Sequence, residues 1–205
     1  MTKVKICGIK HLEHALAAVD AGADMIGFVF AKSKRQITME LAKFISEKLP
    51  SHIEKVGVFV NASIEELEHT AKYVGLDYVQ LHGDETYNFC RQLSIPYIKA
   101  FKVNNELDLN VTQIYNNAKY ILLDSGTGPY YGGNGTTFNW KIVEGHPIDR
   151  TRLILAGGLN ENNVKEAIKI VQPAIVDVSS GVETNGEKDV NKIKSFIKAV
   201  KECGL

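Results

Sequence analysis

Short β-branched runs alternate with segments of helical period along the whole chain. The pattern recurs about every 26 residues and predicts eight strand–helix units in 205 residues. The predicted strands span residues 4–9, 24–30, 55–60, 78–82, 97–103, 120–124, 152–156 and 174–178. The predicted helices span residues 11–21, 39–49, 64–73, 85–93, 107–117, a short segment from 138, 161–171 and 190–202. Ser63 with Glu66 forms a predicted capping box, and Asn160 is a predicted N-cap.

The strict alternation predicts a parallel sheet covered by helices. Eight units can close into a (β/α)₈ TIM barrel, for which about 200 residues is near the lower size limit. The alternative is a doubly wound open sheet, which carries a glycine-rich phosphate loop directly after its first strand. Gly8 follows the first strand here, but no GxGxxG pattern does. No stretch rich in proline, serine or charge divides the chain, so we expect residues 1–205 to form a single-domain, near-minimal barrel.

The charge is balanced, with 24 Lys and Arg against 24 Asp and Glu. This balance argues against nucleic acid or an anionic membrane as the main partner. The longest apolar run, residues 25–31, is far shorter than the roughly 18 residues that span a bilayer. The three cysteines show no CxxC and no zinc-finger spacing, so we expect no metal site and a reducing, cytoplasmic location. The sequence leaves open whether the protein is a monomer or a homodimer.

Several predicted strands carry polar residues where apolar ones would pack better. In a barrel, alternate strand residues face the interior, and the active site lies at the C-terminal ends of the strands. The residues predicted to face inward are Lys5, Cys7, Gln80, His82, Lys99, Asp124 and Asp177, whereas Val4, Ile6, Val79, Leu81 and Ile98 are predicted to face the helices. The two lysines and two aspartates are expected to neutralise one another, since unpaired buried charge is costly. These residues form either ion pairs of the core or a functional site, and their number on five strands favours a site.

Two loops predict a phosphate site. Gly157 and Gly158 follow the seventh strand, and Ser179, Ser180 and Gly181 follow the eighth. Glycines let backbone N–H groups approach an anion, and the loops after strands seven and eight are a recurrent phosphate site in barrels.

Two further loops carry candidate binding groups. The segment 124–138 is rich in glycine, as lids and binding loops often are. Arg35 lies in the loop after the second strand, where its guanidinium can bind a carboxylate at the barrel mouth.

The chain resembles the phosphoribosylanthranilate isomerase family over its whole length. The matching segments are Val4-Lys-Ile-Cys-Gly-Ile9, Ser33-Lys-Arg35, Val79-Gln-Leu-His-Gly83, Leu122-Leu-Asp124, Gly132-Gly-Asn-Gly135 with Phe138 and Trp140, Leu155-Ala-Gly-Gly-Leu159 and Val176-Asp-Val-Ser-Ser-Gly-Val-Glu183. Two positions depart from the family pattern: Asn134 replaces a threonine in the glycine loop, and Asn139 replaces an aspartate.

The resemblance implies an Amadori rearrangement of N-(5-phosphoribosyl)anthranilate in tryptophan biosynthesis. Asp124 would be the general acid at the ring oxygen, and Cys7 the general base at C2. Burial would help Asp124 stay protonated, and Lys5 is expected to favour the Cys7 thiolate. The amine of the substrate supplies the electron sink, so no cofactor is expected.

The same resemblance implies the binding residues for this small phosphosugar. Arg35 would bind the anthranilate carboxylate, and Asp177 a ribose hydroxyl. Gly157, Gly158, Ser179, Ser180 and Gly181 would hold the phosphate. His82 lies in a matching motif near the site, where it would contact the substrate without a proton-transfer role.

Two other functions compete with this interpretation. A histidine-pathway aminoaldose isomerase is similar in reaction and phosphate loops, but it has an aspartate where Cys7 stands. A non-catalytic phosphosugar-binding barrel would need neither the thiol nor the carboxyl group at separate strand ends.

Overall fold

A computed structural model describes residues 1–105, 107–125 and 137–204. In these residues eight parallel strands close into a barrel in the order β1 to β8, which confirms the predicted fold and excludes the open sheet. The strands are Lys3–Cys7 (β1), Met25–Val29 (β2), Glu54–Phe59 (β3), Tyr78–Leu81 (β4), Tyr97–Val103 (β5), Tyr120–Ser125 (β6), Leu153–Leu155 (β7) and Ile175–Val178 (β8). The helices between and after them are Leu12–Ala21 (α1), Met39–Ser46 (α2), Ile64–Val74 (α3), Tyr87–Cys90 (α4), Leu107–Asn110 (α5), Lys141–Glu144 (α6), Val164–Val171 (α7) and Val190–Lys201 (α8).

The barrel wall separates two apolar cores. The larger core lies between strands and helices and includes Val4, Ile6, Val79 and Leu81, as predicted. The smaller one fills the barrel interior and consists of Met25, Val56, Ile98, Ala100, Leu122, Ile154, Ala156 and Ile175. Ile98 therefore faces the interior rather than the helices, and this part of the inside–outside prediction is wrong. Since successive strand residues point to opposite sides, its neighbour Lys99 starts on the helix side of the wall.

Several helices are shorter than predicted. The fourth was predicted over residues 85–93 but is a single turn, and α5 is one turn followed by a 3₁₀ helix over Val111–Ile114. Helix α7 begins at Val164 rather than at residue 161. Asn160 is therefore not its N-cap, although its side chain accepts the N–H of Asn162 in the turn that leads into the helix. Ser63 does cap α3, because its hydroxyl accepts the N–H of Glu66 at 3.1 Å.

A small hairpin after β8 was not predicted. Its antiparallel strands are Glu183–Thr184 (β9) and Glu187–Lys188 (β10), and a 3₁₀ helix over Ser180–Val182 precedes them. The two residues of the turn, Asn185 and Gly186, both have positive φ angles, which is the geometry that an Asn-Gly pair favours in tight hairpins. The hairpin places Glu183 and Lys188 side by side at the end of the barrel that carries Cys7.

Two further predictions concern the glycine-rich loop after β6 and the absence of a membrane-spanning segment. The glycine-rich loop with Asn134 lies, apart from its ends, outside the described residues. No helix in the described ranges is long and apolar enough to cross a membrane.

Candidate active site

The first group of site residues comes from the adjacent strands β1 and β8. Lys5 Nζ lies 3.0 Å from Asp177 Oδ2, and both side chains are buried in the barrel interior. The second oxygen of Asp177, Oδ1, is buried and has no hydrogen-bond partner among the described residues. Cys7 lies two residues beyond Lys5 on the same side of β1 and is 7% exposed. Of the four charged groups predicted to neutralise one another, Lys5 and Asp177 thus form a pair, with one carboxylate oxygen left for another donor.

The charges around Cys7 act against each other. Burial raises the pKa of the thiol, Lys5 and Lys188 lower it, and Asp177 raises it again, so that the pKa lies above its ordinary value. Lys5 acts in the predicted direction, but burial is the larger effect and favours the neutral thiol. Lys5 itself stays charged: burial would lower its pKa, but the Asp177 carboxylate raises it above the ordinary value.

The second group of site residues lies across the mouth, on β4, directly after it and on β6. His82 Nε2 lies 3.3 Å from Asp124 Oδ2, but its angle is not that of a hydrogen bond. Gln80 Nε2 lies 3.1 Å from His82 Nδ1. If the amide nitrogen of Gln80 is the donor, Nδ1 is an acceptor and the ring proton sits on Nε2, towards Asp124. The other oxygen of Asp124 accepts the N–H of Ser125 at 2.7 Å.

Lys99 does not belong to this mouth. Its Nζ lies 2.9 Å from Glu85 Oε2 on the helix side of the wall, so it takes no part in neutralising the aspartates of the mouth, contrary to the prediction. The error has a simple cause: the side of β5 that faces inward carries Ile98 and Ala100. The sequence prediction placed Lys99 on that side.

Arg35 is held by a carboxylate of the protein. Its Nε and Nη2 donate to the two oxygens of Glu183 at 2.6 and 2.9 Å, and Lys188 Nζ lies 2.7 Å from the same side chain. Burial alone would raise the pKa of Glu183, but the hydrogen bonds from Arg35 and Lys188 lower it to about 2. Glu183 and Lys188 were not predicted to act in the site, although the Asn-Gly turn between them was a signal for the hairpin that brings them together.

The two predicted phosphate loops lie against each other. Gly181 packs on the carbonyl of Leu159 so closely that a Cβ has no room there. The hydroxyl of Ser179 donates to the carbonyl of Cys7 at 3.1 Å, and its own carbonyl accepts from Lys188 at 3.0 Å. Ser180 begins the 3₁₀ helix that follows. The loop after β8 is thus tied both to the strand that carries the thiol and to the hairpin.

The loop after β7 reaches the other side of the mouth. Gly157 has a φ of +85°, and a Cβ built on it would lie 2.7 Å from Asp124 Oδ1. Gly158, next to it, also has a positive φ. The two phosphate loops therefore join the side of the mouth that carries the thiol to the side that carries the carboxyl group and His82.

Comparisons with known proteins place this arrangement in a family. A family model described as N-(5'phosphoribosyl)anthranilate (PRA) isomerase matches residues 4–199. The N-(5'-phosphoribosyl)anthranilate isomerase of Bacillus cereus (strain G9842) is 54% identical over 202 residues, which cover 98% of each chain. The chain belongs to the PRA isomerase family.

Solved structures of PRA isomerases agree with the barrel described here. The crystal structure of the enzyme from Thermotoga maritima is similar with a TM-score of 0.90, 48% identity and complete coverage of both chains. A PRA isomerase in complex with reduced 1-(o-carboxyphenylamino)-1-deoxyribulose 5-phosphate gives a TM-score of 0.87 at 46% identity, again with complete coverage. Among the described residues of this family member, no group of three or more His, Cys, Asp or Glu side chains is arranged to hold a metal ion.

Proposed function

We propose that Cys7 and Asp124 carry out the two proton transfers by which this isomerase of tryptophan biosynthesis rearranges N-(5'-phosphoribosyl)anthranilate. The observation that carries the assignment is their placement. Both lie at the C-terminal ends of their strands, on the interior side, on strands that are not neighbours. The phosphate loops contact the strand ends of both: Ser179 contacts Cys7, and Gly157 lies against Asp124.

The reaction needs one proton donor and one acceptor. Asp124 protonates the furanose oxygen as its bond to C1 breaks, which opens the ring to an iminium ion. Cys7 removes the proton from C2, and the electron pair moves to the iminium nitrogen, giving an enolamine. Tautomerisation of the enolamine gives the ketone, so the substrate is neither oxidised nor reduced overall. The substrate nitrogen accepts the electrons, and the proposal therefore calls for no cofactor.

The binding groups match a substrate with a carboxylate and a phosphate. Nε and Nη2 of Arg35 face Glu183, and Nη1 is assigned to the anthranilate carboxylate. The unpartnered oxygen of Asp177 is available to accept a ribose hydroxyl. The backbone of Gly157, Gly158, Ser179, Ser180 and Gly181 forms the phosphate site.

The family comparisons also bear on the two competing functions. They support neither the histidine-pathway isomerase nor the non-catalytic barrel. The remaining expectations stay predictions: a cytoplasmic location, no nucleic-acid partner, and a monomer or homodimer, which light scattering would distinguish.

The test follows the loss of substrate fluorescence for wild type, Cys7→Ser and Asp124→Asn. Each substitution removes a proton-transfer group, and kcat is expected to fall by about 10²–10⁴-fold. Both variants should still bind the reduced product analogue. Cys203→Ser changes an exposed thiol away from the site and serves as the matched control. Near-wild-type kcat in Asp124→Asn would refute the acid assignment, and an inactive wild type that binds phosphosugars would favour the non-catalytic barrel.

A further inference from the structure

The buried pair of Lys99 and Glu85 has no part in the proposed reaction. It lies outside the barrel wall, with the two side chains 4% and 2% exposed. Burying two charges is costly unless further hydrogen bonds satisfy them. The contacts of this pair therefore show what it is built to hold.

Those contacts converge on the chain around His82. Lys99 Nζ donates to the carbonyl oxygens of Leu81 at 3.3 Å and Gly83 at 2.7 Å, the residues before and after the histidine. Glu85 accepts the N–H of Gly83 with both oxygens, at 3.2 and 3.1 Å. The pair thus contacts the backbone on both sides of His82 without contacting its ring.

The same pair joins neighbouring loops. Glu85 Oε1 accepts the N–H of Asn61, in the loop after β3, at 2.8 Å. The hydroxyl of Tyr115, near the end of the segment that contains α5, donates to the carbonyl of Glu85 at 3.1 Å. The loop that follows His82 is therefore fixed from both sides.

The ring of His82 completes the path to the reaction. Gln80 holds its Nδ1, and its Nε2 lies 3.3 Å from Asp124. A shift of the backbone at Leu81 and Gly83 moves this ring relative to the proposed acid. Catalytic geometry tolerates little displacement, since an error of about 1 Å can cost about 100-fold in rate.

We propose that Lys99 and Glu85 are positioning residues. Their buried ion pair lies on the helix side of the barrel wall and holds the His82 ring in its position beside Asp124. The inference rests on the proposed role of Asp124. It adds two residues from outside the mouth to those that set the rate.

The experiment compares Lys99→Gln with the double variant Lys99→Met/Glu85→Gln. Both remove the ammonium group that holds the two carbonyls. In the single variant the Glu85 carboxylate keeps its N–H donors. In the double variant the side-chain amide introduced by Glu85→Gln still offers them an acceptor, while both charges are gone. We expect kcat to fall about tenfold in each, with KM changed by less than about twofold, because Arg35, Asp177 and the phosphate loops are untouched. The double variant should lose no more kcat than the single one.

A spectroscopic measurement separates positioning from general stability. The ¹⁵N shifts of the imidazole report the tautomer of His82, and wild type should show the proton on Nε2. In both variants the shifts should move towards a mixture of tautomers. Lys55→Met is the matched control, because it breaks a lysine–aspartate pair of 3.2 Å at the opposite end of the barrel. It should leave both kcat and the ¹⁵N shifts unchanged.

Each outcome decides a separate question. Wild-type kcat and tautomer in a folded Lys99 variant would overturn the inference, while a loss of turnover in Asp124→Asn would leave the proposed function standing. If the double variant does not fold, Lys99→Gln decides. If wild type had no isomerase activity, the proposed function would fail, and the tautomer measurement would still test whether the pair holds His82.

Discussion

Two lysine–carboxylate pairs are buried on opposite sides of the same barrel wall, and they are completed differently. Inside, Lys5 meets Asp177 at 3.0 Å, and one carboxylate oxygen has no partner among the described residues. Outside, Lys99 meets Glu85 at 2.9 Å, and both groups have further backbone partners. The first pair is open towards the mouth, whereas the second is closed by the protein itself.

The difference separates binding from support. A buried polar atom without a partner is rare in native proteins and marks a place where a ligand or water completes the site. A fully satisfied polar network instead fixes one conformation of the groups it joins. Asp177 therefore fits a substrate contact, and Glu85 fits a residue that holds loops.

The largest effect on stability is expected from replacing the outer pair by apolar residues, and the same change at the inner pair gives the comparison. Lys99→Met/Glu85→Leu leaves the N–H groups of Asn61 and Gly83 without acceptors and should lower the free energy of unfolding by about 2–4 kcal/mol. Lys5→Met/Asp177→Leu removes two groups that mainly satisfy each other, and should change that free energy by less than about 1 kcal/mol or raise it. Urea unfolding of both doubles measures the contrast.

For the inner pair, turnover is expected to fall although stability does not. Lys5→Met/Asp177→Leu is expected to fold and to lose turnover, because it removes the proposed ribose contact and a cation beside Cys7. Equal losses of stability in the two doubles would contradict the distinction between an open and a closed pair.

An intermediate effect is expected at Gly27, on the inner side of the wall. A Cβ at this position would lie 2.9 Å from Cys7 Sγ and 3.1 Å from Cys7 Cα. Gly27→Ala should therefore cost about 1–3 kcal/mol in unfolding free energy through overpacking and displace the thiol, which lowers kcat. Gly145→Ala is the control, since its Cβ would meet nothing within 4 Å. Unchanged kcat in Gly27→Ala would show that the thiol position is not critical.

The inward positions of the residues in the inner pair could be predicted from the sequence, and the positions of the outer pair could not. On β1, Lys5 and Cys7 alternate with Val4 and Ile6, so the pattern shows which side is polar. On β5, apolar residues occupy both sides, and its two lysines, Lys99 and Lys102, fall on opposite sides. Alternation alone cannot assign such a strand. Closure of the barrel assigns it, by turning Ile98 and Ala100 inward.

The candidate site shows the same limit. The strand-end residues and the two phosphate loops follow from the eight-fold pattern and the family resemblance. Glu183, which holds Arg35, does not, because the pairing depends on a two-residue hairpin turn and on the loop after β2 folding over Gly8. Long-range contacts of this kind are not encoded in the periodicity of either segment.

The smallest effect concerns the rate at which cysteines are alkylated, because each of the two lysine–carboxylate pairs has a cysteine near it. Burial raises the pKa of Cys7, while Lys5 lowers it; burial raises the pKa of Cys90 to about 11, while Lys99 lowers it. Only the thiolate reacts with iodoacetamide, and a raised pKa means that Cys7 should need a higher pH than a free thiol, whose pKa is about 8.5. Lys5→Met removes a cation that favours the thiolate and should slow alkylation of Cys7 at neutral pH by roughly three- to tenfold.

The two thiols make this measurement a comparison within one chain. Peptide mass spectrometry in a Cys203→Ser background follows Cys7 and Cys90 separately, without the exposed third thiol. Lys5→Met should slow Cys7 and leave Cys90 unchanged, because the wall separates the two pairs and the charge of Lys5 acts on the interior. A free-thiol pH profile for Cys7 would contradict burial as the dominant effect. Equal slowing of both thiols would mean that Lys5→Met acts through the whole barrel rather than through its charge.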